Sequence, residues 1–165
     1  MKARLLSLVL VSAVWSAPAF ADCATDKTKL SQTQISTVLG GHYACGRSSA
    51  DPPGWNELHN GASGGTLQEQ HEGGTTVENV GSWSTSVVSG NSTNGIGQVS
   101  YAYSGGDAPG YTVAVAGSTT NCNNNATCTN LPQTYYFCGV AGGAPASLQI
   151  RVSASVLALS GCPSN

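Results

Sequence analysis

The chain reads as a mainly β protein: an antiparallel up-and-down β-barrel, or a sandwich, of about eight strands with one short N-terminal helix and a set of disulfide staples. Three observations predict this class. Apolar and polar residues alternate at period two over several runs, Gly, Ser, Thr and Asn crowd the intervals between them, and six cysteines stand in a chain of which only 8% is charged.

The first 21 residues are expected outside that fold. Lys2 and Arg4 precede an apolar stretch from Leu5 to Val14, and Ala19, Phe20 and Ala21 come before Asp22, the pattern of a cleaved secretory signal peptide. The stretch falls short of the roughly 18 to 20 apolar residues that span a bilayer. Residues 22–165 are then expected to form a single barrel domain, secreted or periplasmic.

Near its start the sequence predicts one helix. Ser31 and Gln34 make a capping box, Leu30 and Ile35 stand at the staple positions around it, and Val38 and Leu39 continue the apolar face. Gly40 and Gly41 end it. So short a helix is not stable alone and must dock on the sheet, across an open end if the sheet closes.

Strands follow over 41–46, 54–60, 66–72 and 80–88. Val99, Tyr101 and Tyr103 then share one face, as do Tyr111, Val113 and Val115, and the turn-forming residues 104–110 join the two runs as a hairpin. A strand over 134–140 precedes a long final one, in which Leu148, Ile150, Val152, Ala154, Val156 and Ala158 alternate with Gln149, Arg151, Ser153 and Ser155.

An even number of cysteines in an exported chain reads as disulfides. Cys122 and Cys128 close a short polar loop and are paired on that ground. Cys45 and Cys138 each lie inside an apolar run, which suits a bridge between strands, and this leaves Cys23 with Cys162. A zinc site is disfavoured by the Cys-x5-Cys spacing.

After residue 21 the cations are Lys27, Lys29, Arg47 and Arg151 against eight acidic residues, a formal net charge of −4. That balance argues against nucleic acid as a partner. Two long alternating strands would permit an outer-membrane barrel, but the others are short and the chain ends without a terminal aromatic. The expectation is a barrel not embedded in a membrane.

The sharpest chemical feature is a repeated pair of carboxyl and imidazole. Glu57 and His59, then Glu69 and His71, are each two apart and so on one face of a strand, and residues 60–65 can join the two as a hairpin. If Glu57 lies opposite Glu69, His59 faces Leu67 and Trp55 faces His71, and two carboxyls and two imidazoles share a surface. Facing a cavity, they would act as polar contacts to a ligand, hold a metal or move protons; otherwise they are an ordinary solvated strand face or a satisfied hydrogen-bond network. Trp83, and Tyr101, Tyr103, Tyr111, Tyr135 and Tyr136, are further candidates for a pocket wall, with core packing as the commoner role of such residues. No HExxH, nucleophile elbow or phosphate loop is present, and no cofactor is implied.

Gly81, Ser82 and Trp83, followed by an alternating strand and aromatic-rich hairpins, resemble the Gly-x-Trp strand opening of lipocalin-like and avidin-like barrels. In lipocalins that motif lies on the first barrel strand, whereas here about three strands precede it. The stretch from Leu30 to Cys45, the Trp55 to His71 hairpin and the Gly-x-Trp strand together also look like small exported bacterial proteins of unknown function.

The function expected is a secreted or periplasmic module that binds a small, partly apolar ligand, with Trp55, Glu57, His59, Glu69, His71, Trp83, Tyr101 and Tyr103 as contacts. The alternatives are an extracellular structural or interaction subunit that adds strands to neighbours, and an enzyme or metal site built on the Glu and His cluster.

Overall fold

A computed structural model describes residues 23, 27–47, 54–70, 77–116, 122 and 128–165. The predicted signal segment and His71 lie outside them. The elements run β1 (Lys27–Lys29), α1 (Gln32–Leu39), β2 (Tyr43–Arg47), β3 (Gly54–Asn60), β4 (Thr66–Gln70), β5 (Val77–Ser89), β6 (Ile96–Tyr103), β7 (Gly110–Ala116), β8 (Gln133–Ala141) and β9 (Leu148–Ser153).

From β2 to β9 each strand pairs antiparallel with the next, and β9 returns to β2. The sheet is therefore a closed eight-strand up-and-down barrel, and closure removes the unpaired edges that an open sheet would carry. Alternation supplies its inside. Leu67, Trp83, Val99, Val113, Tyr135, Ile150 and Val152 are fully or almost fully buried. The alternate positions on β4, β5 and β6 are Thr66, Gln68 and Gln70, Ser82, Ser84 and Ser86, and Gln98 and Ser100. A lipid-facing wall needs an apolar band at such positions.

The helix closes one end. Ser31 Oγ accepts from the Gln34 amide at 3.3 Å while the Gln34 side chain accepts from the Ser31 amide at 2.9 Å, completing the predicted capping box. Ile35, Val38 and Leu39 are buried beneath it. Gln32 Nε2 donates to the Thr85 carbonyl at 3.0 Å, the Thr33 amide to the Ser92 carbonyl at 2.9 Å, and the Gly41 amide to the His59 carbonyl at 2.8 Å. These bonds hold α1 over the rim formed by the β3–β4 and β5–β6 turns.

The short β1, which the sequence reading missed, pairs with residues 114–116 of β7. From there Leu30 accepts from the Gly97 amide at 2.9 Å and donates to the Val113 carbonyl at 2.8 Å. This approach is why position 97 is glycine: a Cβ there would run into the backbone of Ser31 and Gln32. Gly97→Ala should destabilise the fold by about 1–3 kcal/mol through overpacking, read as a lower denaturant midpoint. An unchanged midpoint would mean that the helix is not seated on β6.

Two expectations need correction. The disulfides are Cys23–Cys138, Cys45–Cys162 and Cys122–Cys128, so only the last pair is as predicted. Cys45 and Cys138 both lie on the outer face, but β9 runs between β2 and β8. Two strand spacings are roughly 9–10 Å, too far for a disulfide whose Cα atoms stand within about 7 Å. Cys138 instead pairs with Cys23, and Cys45 with Cys162 of the C-terminal segment.

The final strand also ends at Ser153 rather than near Ala158. There Ser153 Oγ accepts from the Ser155 amide at 3.3 Å, a local turn that competes with the strand ladder. The chain then crosses the outside of β3, where Asn56 Nδ2 donates to the Leu157 carbonyl at 3.1 Å. Ala154, Val156 and Ala158 are consequently exposed.

Candidate functional site

The described residues leave a space at the end of the barrel opposite α1, and the β3–β4 hairpin places its chemistry there. Glu57 lies opposite Glu69 and His59 opposite Leu67, the register expected from the sequence. Alternation sends Trp55, Glu57 and His59 to the inside of β3 at successive depths. Trp55 is nearest the open rim, where Gly46 directly across on β2 makes room for it: a Cβ on Gly46 would sit 2.9 Å from Trp55 Cζ2.

Glu57 is buried, 7% exposed, and Tyr103 Oη donates to its Oε2 at 3.2 Å. One layer deeper, His59 Nε2 shares a 3.0 Å hydrogen bond with Tyr101 Oη, and its ring meets Trp83 edge-on at 5.1 Å. Tyr101 stacks on Tyr103 at 5.9 Å and meets Tyr111 edge-on at 6.1 Å, and Tyr111 in turn meets Phe137 at 5.8 Å. An aromatic wall thus runs from the middle of the barrel to its mouth.

Two spaces open against this wall. A vestibule of ≈ 330 Å³ is lined by Gly54, Trp55, Glu57, Glu69, Tyr103, Pro109, Tyr111 and Leu148. An inner cavity of ≈ 40 Å³ shares Trp55, Glu57, Tyr103, Tyr111 and Leu148 with it and adds Ala44, Tyr101, Phe137 and Ile150. The predicted Trp55, Glu57, Glu69 and Tyr103 therefore converge on the vestibule, and Tyr101 lies behind it. His59 and Trp83 are packed in the core below and line neither space. Of the other tyrosines considered for a cavity wall, Tyr111 lines both spaces and Tyr135 and Tyr136 line neither, whereas Pro109 and Leu148 are not singled out by the sequence, Leu148 looking like any other inward residue of an alternating strand.

Burial sets the protonation of the cluster. It pushes the Glu57 carboxyl up from 4.5 to about 7, the Tyr103 hydrogen bond opposing and the neighbouring Glu69 adding to the shift. It pushes His59 down from 6.5 to about 3, so the imidazole is neutral. Burial, reinforced by Glu57, raises the phenols of Tyr101 and Tyr103 and takes Tyr111 to about 12. Of these groups only Glu57 changes charge near neutral pH, and it does so at the floor of an accessible space.

Among the described residues no cluster of three or more His, Cys, Asp or Glu is placed to hold a metal ion, and no helix is long and apolar enough to cross a membrane. No protein-family model matches the chain, and neither a curated protein nor a solved structure matches it. The Gly-x-Trp strand is β5, the fourth strand of the barrel, with Trp83 pointing into the core.

Proposed function

We infer that the protein is a binding module that holds a small, partly apolar ligand in the open end of the barrel and works outside the cytoplasm, after a signal peptide has been removed. The observation that carries the reading is the vestibule: ≈ 330 Å³, walled by Trp55, Tyr103, Tyr111 and Leu148, with the Glu57 carboxyl at its floor. Small-ligand sites have this make-up, an apolar wall with a few placed polar groups and a volume of roughly 300–1,000 Å³. Three disulfides are compatible with an oxidising compartment.

The alternative of a strand-adding subunit loses support from barrel closure, which pairs both sides of every barrel strand. The alternative of a Glu and His reaction centre is weakened by the depth of His59, whose ring engages Tyr101 and Trp83 rather than the vestibule.

Native mass spectrometry of the oxidised protein from its exporting host, repeated after denaturation, tests the reading. A stoichiometric organic mass released on unfolding is the expected result. Bare protein whose tryptophan emission is unmoved by millimolar small aromatic and aliphatic probes would overturn it.

A further inference from the structure

We propose that the ligand of this vestibule is an organic cation, a protonated or quaternary amine on an apolar or aromatic body, held between the carboxyls of Glu57 and Glu69 and the rings of Trp55, Tyr103 and Tyr111. The proposal rests on the binding-module reading and names its ligand class.

The charge layout carries it. The described residues of the vestibule include two carboxyls and no Lys, Arg or His. The four strong cations after residue 21 are engaged or placed elsewhere. Lys27 lies over the outward Tyr136 ring at 4.4 Å, and Lys29 is on β1, at the helix end. Arg47 Nε donates to the Cys162 carbonyl at 2.9 Å, and Arg151 shares the outer face with its neighbour Cys45. Glu57 and Glu69 are directly opposed across β3 and β4, a placement that is unfavourable for like charges. A cation between them removes that repulsion, whereas an anion would add to it.

The walls suit the same ligand. Trp, Tyr and Phe rings attract a cation to their faces, most strongly where water is excluded. The Tyr103 hydroxyl, donating to Glu57 Oε2, orients the carboxyl from the side.

Binding is then coupled to a proton: an amine that arrives charged displaces the proton of Glu57 to solvent. Among the described residues, the titratable groups around Glu57 are Glu69 on β4, Tyr101 and Tyr103 on β6 and Tyr111 on β7, with His59 on its own strand and Glu78 of β5 opposite Glu69. From β2, β8 and β9 the inner cavity beside it is lined by Ala44, Phe137, Leu148 and Ile150, which do not titrate. His59, lowered to about 3, stays neutral through the working range.

Calorimetric titration of the full oxidised protein with benzyltrimethylammonium and with its uncharged carbon isostere neopentylbenzene tests this. The cation should bind at least about tenfold more tightly than the isostere at pH 8, and its affinity should rise by up to about a hundredfold from pH 5 to 8. Heats in buffers of different ionisation enthalpy should show about one proton released per cation near pH 6. Glu57→Gln, checked for intact disulfides and circular dichroism, should lose the pH dependence and most of the preference for the cation. Glu69→Gln should lower cation affinity while keeping the proton release. If the isostere binds as tightly as the cation, the cation assignment fails and the binding module stands. If neither binds at millimolar concentration, both fail. Cation binding with the same pH profile in Glu57→Gln would place the cation elsewhere and also overturn the proposal.

Discussion

Replacing Cys45 and Cys162 together with alanine should lower the stability of the fold by about 4 kcal/mol. The bridge joins residues 117 apart in sequence, but it overlaps the Cys23–Cys138 bridge. A path through that second bridge shortens the effective loop to roughly 46 residues, and the chain-entropy relation gives the figure quoted. The native side adds to the loss. Cys162 anchors a terminal segment in which the Arg47 amide donates to the Pro163 carbonyl at 2.7 Å and the Asn165 amide to the Arg47 carbonyl at 3.0 Å. Against a typical total of about 5–15 kcal/mol, this is a large share. The six-residue separation of Cys122 and Cys128 predicts a loss of about 2 kcal/mol for the corresponding double variant. Denaturant unfolding of the two variants beside the parent checks both values and their order. A smaller loss for Cys45 and Cys162 than for Cys122 and Cys128 would show that the terminal segment is not stapled to β2.

Glu57→Gln should make the protein more stable than the parent by about 3 kcal/mol at pH 8 relative to the difference at pH 4. In the parent, the folded state keeps the Glu57 proton up to about pH 7 while the unfolded chain releases it near 4.5. Stability is therefore lost as pH rises through that window, and a side chain that cannot ionise does not lose it. His59 works in the opposite sense. Its folded value, near 3, lies below the unfolded 6.5, so stability is lost as pH falls from about 6.5 toward 3. Between about 4.5 and 6.5 the two slopes cancel, and together they give the parent a plateau there. Glu57→Gln should expose the His59 slope alone, rising through that interval and levelling above it. Urea midpoints from pH 4 to 8 measure the difference. A parent and a variant whose curves run parallel would mean that Glu57 is solvated rather than buried.

How much of the site was legible follows from the same residues. The Glu57 to Glu69 register could be read from two Glu-x-His runs and the turn-forming residues 60–65 between them, because strand alternation and loop length constrain pairing locally. Alternation says which side of a strand a residue faces but not how far it lies along the barrel axis. That is why Glu57 and His59, equivalent in the sequence, part company: one floors the vestibule and the other is sealed beneath it with Trp83.

Features that depend on near neighbours can be read along the chain: the period-two strands, the Ser31 and Gln34 capping box, the Cys122–Cys128 loop and the absence of surplus cationic charge. Features that depend on distant neighbours emerge with the folded barrel. The insertion of β9 between β2 and β8 rules out the Cys45–Cys138 bridge, and docking of α1 on one end of the barrel leaves the vestibule at the other. Burial then moves Glu57 to about 7. Strand order and desolvation are properties of the whole barrel, set by which surfaces exclude water together, and no local pattern of residues encodes them.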